Sequence, residues 1–409
     1  MIASIRQKFN AAFTEEAYQN YLAFLNTPFL GALDFSVAET PIFIDKNFIE
    51  KLLATGDYVC REIQSDSFKS ITEPSLKNVP LFPNETALPQ CIVMDFAIAM
   101  NDKNEIVPAL IELQGFPSLF AYEILQDECL RQNYSIPAGF SPYLNGYTKE
   151  KYMLHLESIL KGDKLKDPKN TLKHSNKHTV ILEILPHQQK TRIDFYCTEK
   201  YFNIPIVCIT EIFVEEKQLF YERAGKKIKI DRIYNRIVLD ELKNQTKEIQ
   251  DKGALLWSDL DIEWVSHPHH FFRISKFLLP FLKHTYIPKA QFLEQLTSIP
   301  TALDKYILKP LFSFAGQGVI IDISADDISN IKDPSSWILQ EKVEYANCIK
   351  TPTGPAKAEL RLFYFWDESK QQYIATMNLT RLSKGKMIGV DYNKNKQWVG
   401  GSLAYFEKH

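Results

Sequence analysis

The chain has 409 residues, 45% of them hydrophobic and 24% charged, with a formal net charge of −2. That length exceeds one ordinary core and points to two or three subdomains. The charge balance is that of a globular protein and gives no electrostatic ground for nucleic acid or an anionic membrane as partner. Cys60, Cys91, Cys129, Cys197, Cys208 and Cys348 form no C-x-x-C pair, and several lie in apolar strand-like runs. They read as buried free thiols in a reducing compartment. MIASIRQKFN has no long apolar core, and no stretch reaches transmembrane length, so the expectation is a cytoplasmic protein.

Residues 1–80 read as mainly helical. Thr14, followed by Glu15 and Glu16, has the form of a capped helix start, and 46–53 carries apolar residues at helical spacing. Prolines at 80, 83 and 89 mark a connector. The run 91–100, CIVMDFAIAM, is then a strand, Asn101 to Asn104 a turn, and 108–113 a returning strand. Glu112 and Gln114, two residues apart, share a face, and a hairpin can bring Asp95 beside them. Two carboxylates and an amide oxygen suit a hard cation such as Mg²⁺; a half-exposed hairpin meeting water explains the same residues.

An amphipathic helix over 149–161 ends at Gly162, and the polar connector 163–177 is a boundary. Beyond it, strands at 178–185, 204–209 and 229–234 with a helix at 188–201 give a βαβ rhythm and predict a small parallel-sheet module. Arg236 follows the last strand, where open α/β sheets hold ligands; a surface ion pair is the other reading. His267, His269 and His270 have no recognised ligand spacing and read as loop histidines, solvated or satisfied. Lys276 opens a predicted helix over 277–282.

The stretch 306–324, YILKPLFSFAGQGVIIDIS, reads as strand, loop and second strand (319–321). Lys309 at the strand end, with Ser313, Ala315, Gly316, Gln317 and Gly318, could grip phosphates through backbone N–H groups and a point charge. A hairpin with a glycine turn fits as well, and no Walker pattern is present. The remainder is β-rich: 337–343, WILQEKV, then alternating strands over 358–365 and 373–382.

Taken together, lysine-proline at a strand end, a glycine loop, Trp-Ile-Leu-Gln-Glu and then Glu-Leu-Arg-Leu-Phe resemble the nucleotide half of an ATP-grasp fold. The matching metal piece, MDFAIAMNDKNEIVPALIELQGFPS, lies upstream instead of following. That order resembles the circularly permuted ATP-grasp proteins, including the amidase-synthetase family around glutathionylspermidine synthetase. The segment 179–236 is similar to their Rossmann-like preATP-grasp module, and the likeness covers roughly residues 90–405.

The resemblance implies an α+β or α/β chain in three parts. These are 1–165, a helical region with the permuted metal strands; 175–250, the preATP-grasp module; and 255–409, the nucleotide part. It implies ATP and Mg²⁺ as requirements, with small-molecule or peptide carboxylates and amines as substrates. Lys276 and Lys309 would bind phosphates under a loop from Ser313 through Gly316 to Gly318. Gln340 and Glu341 would line the adenine and ribose pocket, and Asp95, Glu112 and Gln114 would hold Mg²⁺. Arg361 would steady the transferred phosphoryl group and Arg236 the acceptor. Gln114 stands where the family has asparagine, and the loop is bulkier than its glycine-rich counterpart. The implied activity is an ATP-dependent carboxylate–amine or carboxylate–thiol ligase; the alternative is a non-catalytic ATP-binding or interaction module.

Overall fold

The computed structural model describes residues 2–162, 165–166, 172–173, 177–313 and 316–408. Its centre is the strand Cys91–Met100, buried along all but its last residue. Burial on both faces requires a continuous apolar run, and only Asp95 interrupts it. The strand pairs antiparallel with Ile106–Gln114 on one side and Lys357–Asp367 on the other. Gln372–Ser383 and Gly400–Ser402 complete a five-stranded sheet. Strands from the first third of the chain thus share a sheet with its C-terminal strands.

One face of this sheet, with Ile92, Met94, Phe96, Leu360, Leu362 and Tyr364, packs on the helix Lys46–Ile63. That helix presents Ile49, Leu52, Val59 and Ile63 at helical spacing, and Asp45 caps it by accepting from Phe48 N. The opposite face carries Val93, Phe363, Met377 and Leu379 into a second core, which also holds Tyr122, Ile124, Tyr152, Leu156 and Ile193. By the two-residue period, this second face also carries the charged residues of the site.

A four-stranded parallel sheet has the order Glu263–Val265, Arg232–Asn235, Thr179–Glu183, Ile206–Cys208. Its strand order reverses between Thr179–Glu183 and Arg232–Asn235, the place where such sheets bind ligands. The strand read over 229–234 is two strands. Lys226–Ile230 belongs to a separate antiparallel meander and Arg232–Asn235 to the parallel sheet. Asp231 lies between the two, its carboxylate accepting from His178 N at 2.8 Å.

A three-stranded antiparallel sheet, in the order Ala290–Phe292, Trp337–Glu341, Tyr306–Pro310, faces the central sheet. The expected second strand over 319–321 reduces to a single bridge, Leu308 with Ile320. Positive φ at Gly316 and Gly318 brings the chain back only briefly, before it leaves toward the helix Ala325–Ser329. The helix expected over 277–282 is a 3₁₀ segment, Lys276–Phe281. Pro280 inside it removes a donor and obstructs an α-turn. A short strand in the N-terminal region, Ile42–Ile44, pairs parallel with Ala404–Glu407 and ties the two ends together. Most of the connector 163–177 lies outside the described residues.

Candidate functional site

Register decides the site. Asp95 lies opposite Glu112 on one neighbour and Arg361 on the other, and Glu359 lies opposite Arg381. Residues in register share a face, so these five side chains form a charged row across the central sheet. Asp95, 1% exposed, accepts from Arg361 Nε and Nη2 at 2.6 Å each and from Arg381 Nη2 at 3.2 Å. Burial alone would raise its pKa, but Arg361, Arg381 and Lys276 hold it below the usual carboxylate range. Arg381 also donates to Glu359 at 2.7 Å, and the Tyr345 hydroxyl donates to the other Glu359 oxygen.

A β-bulge lies beside Asp95. Leu110 pairs with Phe96 and Glu112 with Asp95, which leaves Ile111 as the extra residue. Its carbonyl accepts from Lys309 Nζ at 3.0 Å. Lys309 comes from the three-stranded sheet; burial lowers its pKa to about 8 although Glu112 pulls the other way. Lys276 Nζ pairs with Glu112 at 2.9 Å and donates to the Ser313 carbonyl at 2.6 Å. Glu112, Gln114, Lys276 and Ser313 line one shallow cleft.

Pairing in the small sheet sets Gln340 opposite Ile307, and Ile338 opposite Lys309, so Gln340 and Lys309 share a face. Gln340 is 1% exposed and neither amide atom has a hydrogen-bond partner among the described residues. A buried, unsatisfied amide calls for a ligand that both donates and accepts. Glu341, one residue on, points to the opposite face, and its carboxylate accepts from Lys289 N at 3.1 Å. Its side chain therefore does not line the pocket with Gln340, as expected from the resemblance; strand alternation forbids both facing inward. Gly316 and Gly318 have φ of +77° and +74°, a region open to glycine at little cost. Phe314 and Ala315, inside the expected phosphate loop, lie outside the described residues.

Arg236 is not a surface ion pair. It is 7% exposed, its guanidinium lying 5.3 Å from the Phe116 and Phe195 ring centres. Its Nη1 donates to the carbonyls of Pro117 and Ser118, while Arg361 Nη1 donates to Ser118 Oγ at 3.1 Å. Arg236 and Arg361 thus hold the same 116–118 turn from two sheets. Around Arg236, burial pushes Glu183 up to about 8 and Asp194 up to about 6, Arg236 opposing both shifts. Glu123 is raised well above the usual range by burial, then by Asp194, and neither of its oxygens has a hydrogen-bond partner among the described residues. Arg381, Tyr345 and Glu123 have no sequence signal of their own, and Glu359 and Ser118 stand within the quoted motifs without a role being read for them. Only the polar–apolar alternation around Arg361 and Arg381 hints that one strand face is charged.

Glu112 and Gln114, on one strand face and open to the cleft, fit a hard cation that keeps waters and phosphate oxygens as further ligands. Asp95 does not fit, because two arginines occupy its carboxylate. Among the described residues no cluster of three or more His, Cys, Asp or Glu is arranged to hold a metal. The histidines are buried, not solvated. His269 meets Glu85 and the Pro80 carbonyl, both at 3.1 Å, and His267 meets the Pro83 carbonyl at 3.2 Å. His270 is 0% exposed, with no hydrogen-bond partner for either ring nitrogen among the described residues.

The Pro268–Arg273 helix passes so close to the end of the Ile106–Gln114 strand that a Cβ on Gly115 would meet the His270 carbonyl, its carbon 2.8 Å away. Both atoms at fault are backbone and cannot rotate aside. Gly115→Ala should therefore lose ~1–3 kcal/mol, read as a lower urea midpoint at unchanged m-value; an unchanged midpoint contradicts the close approach.

The sequence matches no family model, and no curated protein matches it. A solved structure does: a glutathione synthetase-like effector from Globodera pallida, in its apo form. The TM-score is 0.55 at 9% identity, over 97% of this chain and 97% of that chain. The fold is glutathione synthetase-like. At that identity the likeness speaks for the fold alone: a mixed α+β chain with several sheets. Among the described residues no helix is long and apolar enough to cross a membrane.

Proposed function

We propose that the protein is an ATP-dependent ligase joining a carboxylate to an amine or a thiol, on an ATP-grasp-related scaffold in circularly permuted order. The observation that carries this reading is the cleft lined by Lys276, Glu112, Gln114 and Ser313, with Lys309 bonded to Ile111 beside it. Lys309 reaches the carbonyl of Ile111 across 198 residues of chain. Strands that precede the nucleotide part in sequence complete its sheet, which supports the permuted order. The parallel sheet ending at Arg236 supports a preATP-grasp module, and free cysteines suit a cytosolic setting.

In this reading the phosphates lie against Lys309 and Lys276, and the adenine edge satisfies the Gln340 amide. The γ-phosphoryl group moves to a substrate carboxylate near Arg361, and the amine or thiol then displaces phosphate from the acyl phosphate. Such chemistry asks for positioning and charge neutralisation more than for covalent participation of the protein. A divalent cation held by Glu112 and Gln114 would offset charge on the phosphoryl oxygens. Arg236, fixed between two rings beside Ser118, orients the turn that borders the acceptor.

Calorimetry with ATP tests the reading. Lys309→Ala should weaken binding roughly 10- to 150-fold, the value of a charge-assisted contact of ~1.5–3 kcal/mol. Wild-type protein that binds no ATP would end it. The arginine pair on Asp95 favours a second reading, a nucleotide-binding protein without turnover. Phosphate release over a panel of acids with amines and thiols separates the two.

A further inference from the structure

We propose that the acid substrate is a carboxylic acid carrying an aromatic ring, which Phe271 and Phe312 hold at the cleft. The proposal rests on the ligase reading and adds the class of acid. The cleft has two unlike walls. Glu112, Lys276 and Ser313 give it a polar side, while Phe271, Leu311 and Phe312 give it an apolar one. Leu311 is closed off, but the two rings are only half-buried. Phe271 and Phe272 are successive residues of the Pro268–Arg273 helix, so their side chains diverge by more than a quarter turn. Phe272 turns inward and Phe271 is left at the cleft. Ring surface left open opposite a charge pair suits a ligand with an apolar body and one polar end.

The rings also lie where the acid must lie. Phe312 stands 5.1 Å from Phe272 between ring centres, Phe272 4.9 Å from Phe271, and Phe271 5.7 Å from Phe116. One end of this chain adjoins Ser313, which Lys276 holds. The other end is in the 116–118 turn that Arg236 and Arg361 hold. The chain of rings thus spans the gap between the phosphoryl donor and the acceptor turn. Its planes are inclined by 67°, 75° and 88°, so each contact is edge-to-face. A further ring can join with the same attraction between edge and face, which an aliphatic or polar body lacks. A hydroxyl or carboxamide laid against the rings would give up water without gaining a partner. Charge selects the other end of the ligand. Lys276 and Glu112 offset each other, and Lys309, bonded to the Ile111 carbonyl beside the cleft, leaves one positive charge over among the three. A carboxylate is favoured there and an ammonium group is not.

The test is calorimetric titration of phenylpropanoate, propanoate, glutarate and phenylethylamine into wild-type protein, with and without a non-hydrolysable ATP analogue. Phenylpropanoate should bind at least ~10-fold tighter than propanoate or glutarate, and phenylethylamine no better than propanoate. Phe271→Ala and Phe312→Ala should each remove most of that preference, while affinity for the ATP analogue stays within about twofold. Equal affinity for phenylpropanoate and propanoate in both conditions overturns the proposal, and so does tighter binding of phenylethylamine. Variants that lose the analogue but keep the acid preference overturn it too, because the rings would then hold the base. The comparison of acids is made on wild-type protein, so it decides the matter even if a variant misfolds. Wild-type protein that binds no ATP analogue overturns the ligase reading instead, and the titration without nucleotide shows separately whether the ring preference exists.

Discussion

Asp95→Ala should cost about 3–5 kcal/mol of stability, the loss typical when one partner of a buried ion pair is removed. Asp95 is enclosed, and Arg361 grips it through two donors at 2.6 Å each while Arg381 adds a third contact. Without the carboxylate, among the described residues Arg361 keeps only Ser118 Oγ and Arg381 only Glu359. Arg381 Nε already has no hydrogen-bond partner among the described residues. Two guanidinium groups then face each other in a site that screens them poorly. Asp95→Asn keeps the shape and one acceptor but turns an amide donor toward an arginine, so it should recover only part of the loss. Urea unfolding of the three proteins checks this. A loss below ~1 kcal/mol for Asp95→Ala would mean that the arginines find other partners and that the row across the sheet is not a unit.

Acid should draw stability from the buried histidines, beginning well before most carboxylates titrate. Burial, reinforced by His269, lowers His267 to about 4, and burial with His267 lowers His270 to about 3. In the unfolded chain both take up a proton near pH ~6.5. At these two rings the unfolded state therefore binds more protons from about pH 6.5 down to the folded values, and their contribution to stability falls as pH drops, while Glu183 and Asp194, raised by burial, act in the opposite sense. At ~1.4 kcal/mol per pH unit per proton, the two rings together remove several kcal/mol by about pH 4. Glu85 acts later: against the upward push of burial, His269 and Arg273 hold it far below the usual range, so its contribution erodes progressively once pH falls below the ordinary carboxylate value. His270→Leu should leave stability at pH 7 unchanged or higher, because among the described residues the imidazole has no hydrogen bond for leucine to lose. It should also flatten the acid slope by about one proton. Parallel wild-type and mutant curves of urea midpoint against pH would sink this account.

Local chemistry was legible wherever a neighbour in sequence completes it. Thr148 caps its helix by accepting from Lys151 N, and Gly162, at φ +82°, ends it, so both limits of Lys149–Lys161 could be read directly. The alternation in Gln372–Ser383 and the apolar run of Cys91–Met100 specify strands for the same reason. Two-residue periodicity likewise put Glu112 and Gln114 on one face. The residues at 319–321 have the composition of a strand yet make one bridge, because strand pairing depends on a partner that composition does not report.

What the sequence by itself determined is therefore the set of elements and the residue types a phosphate and a hard cation would need. Tertiary structure alone decided which charges meet. Asp95 finds Arg361 and Arg381 across 266 and 286 residues, and a single bulge residue, Ile111, turns its carbonyl to Lys309. The resemblance implied that both Gln340 and Glu341 line the pocket; strand parity puts them on opposite faces, and packing against the central sheet made the Gln340 side the inner one. The physical reason is common to all three: register and packing between distant strands are set by the sum of side-chain burial over a whole face, so no local pattern records them.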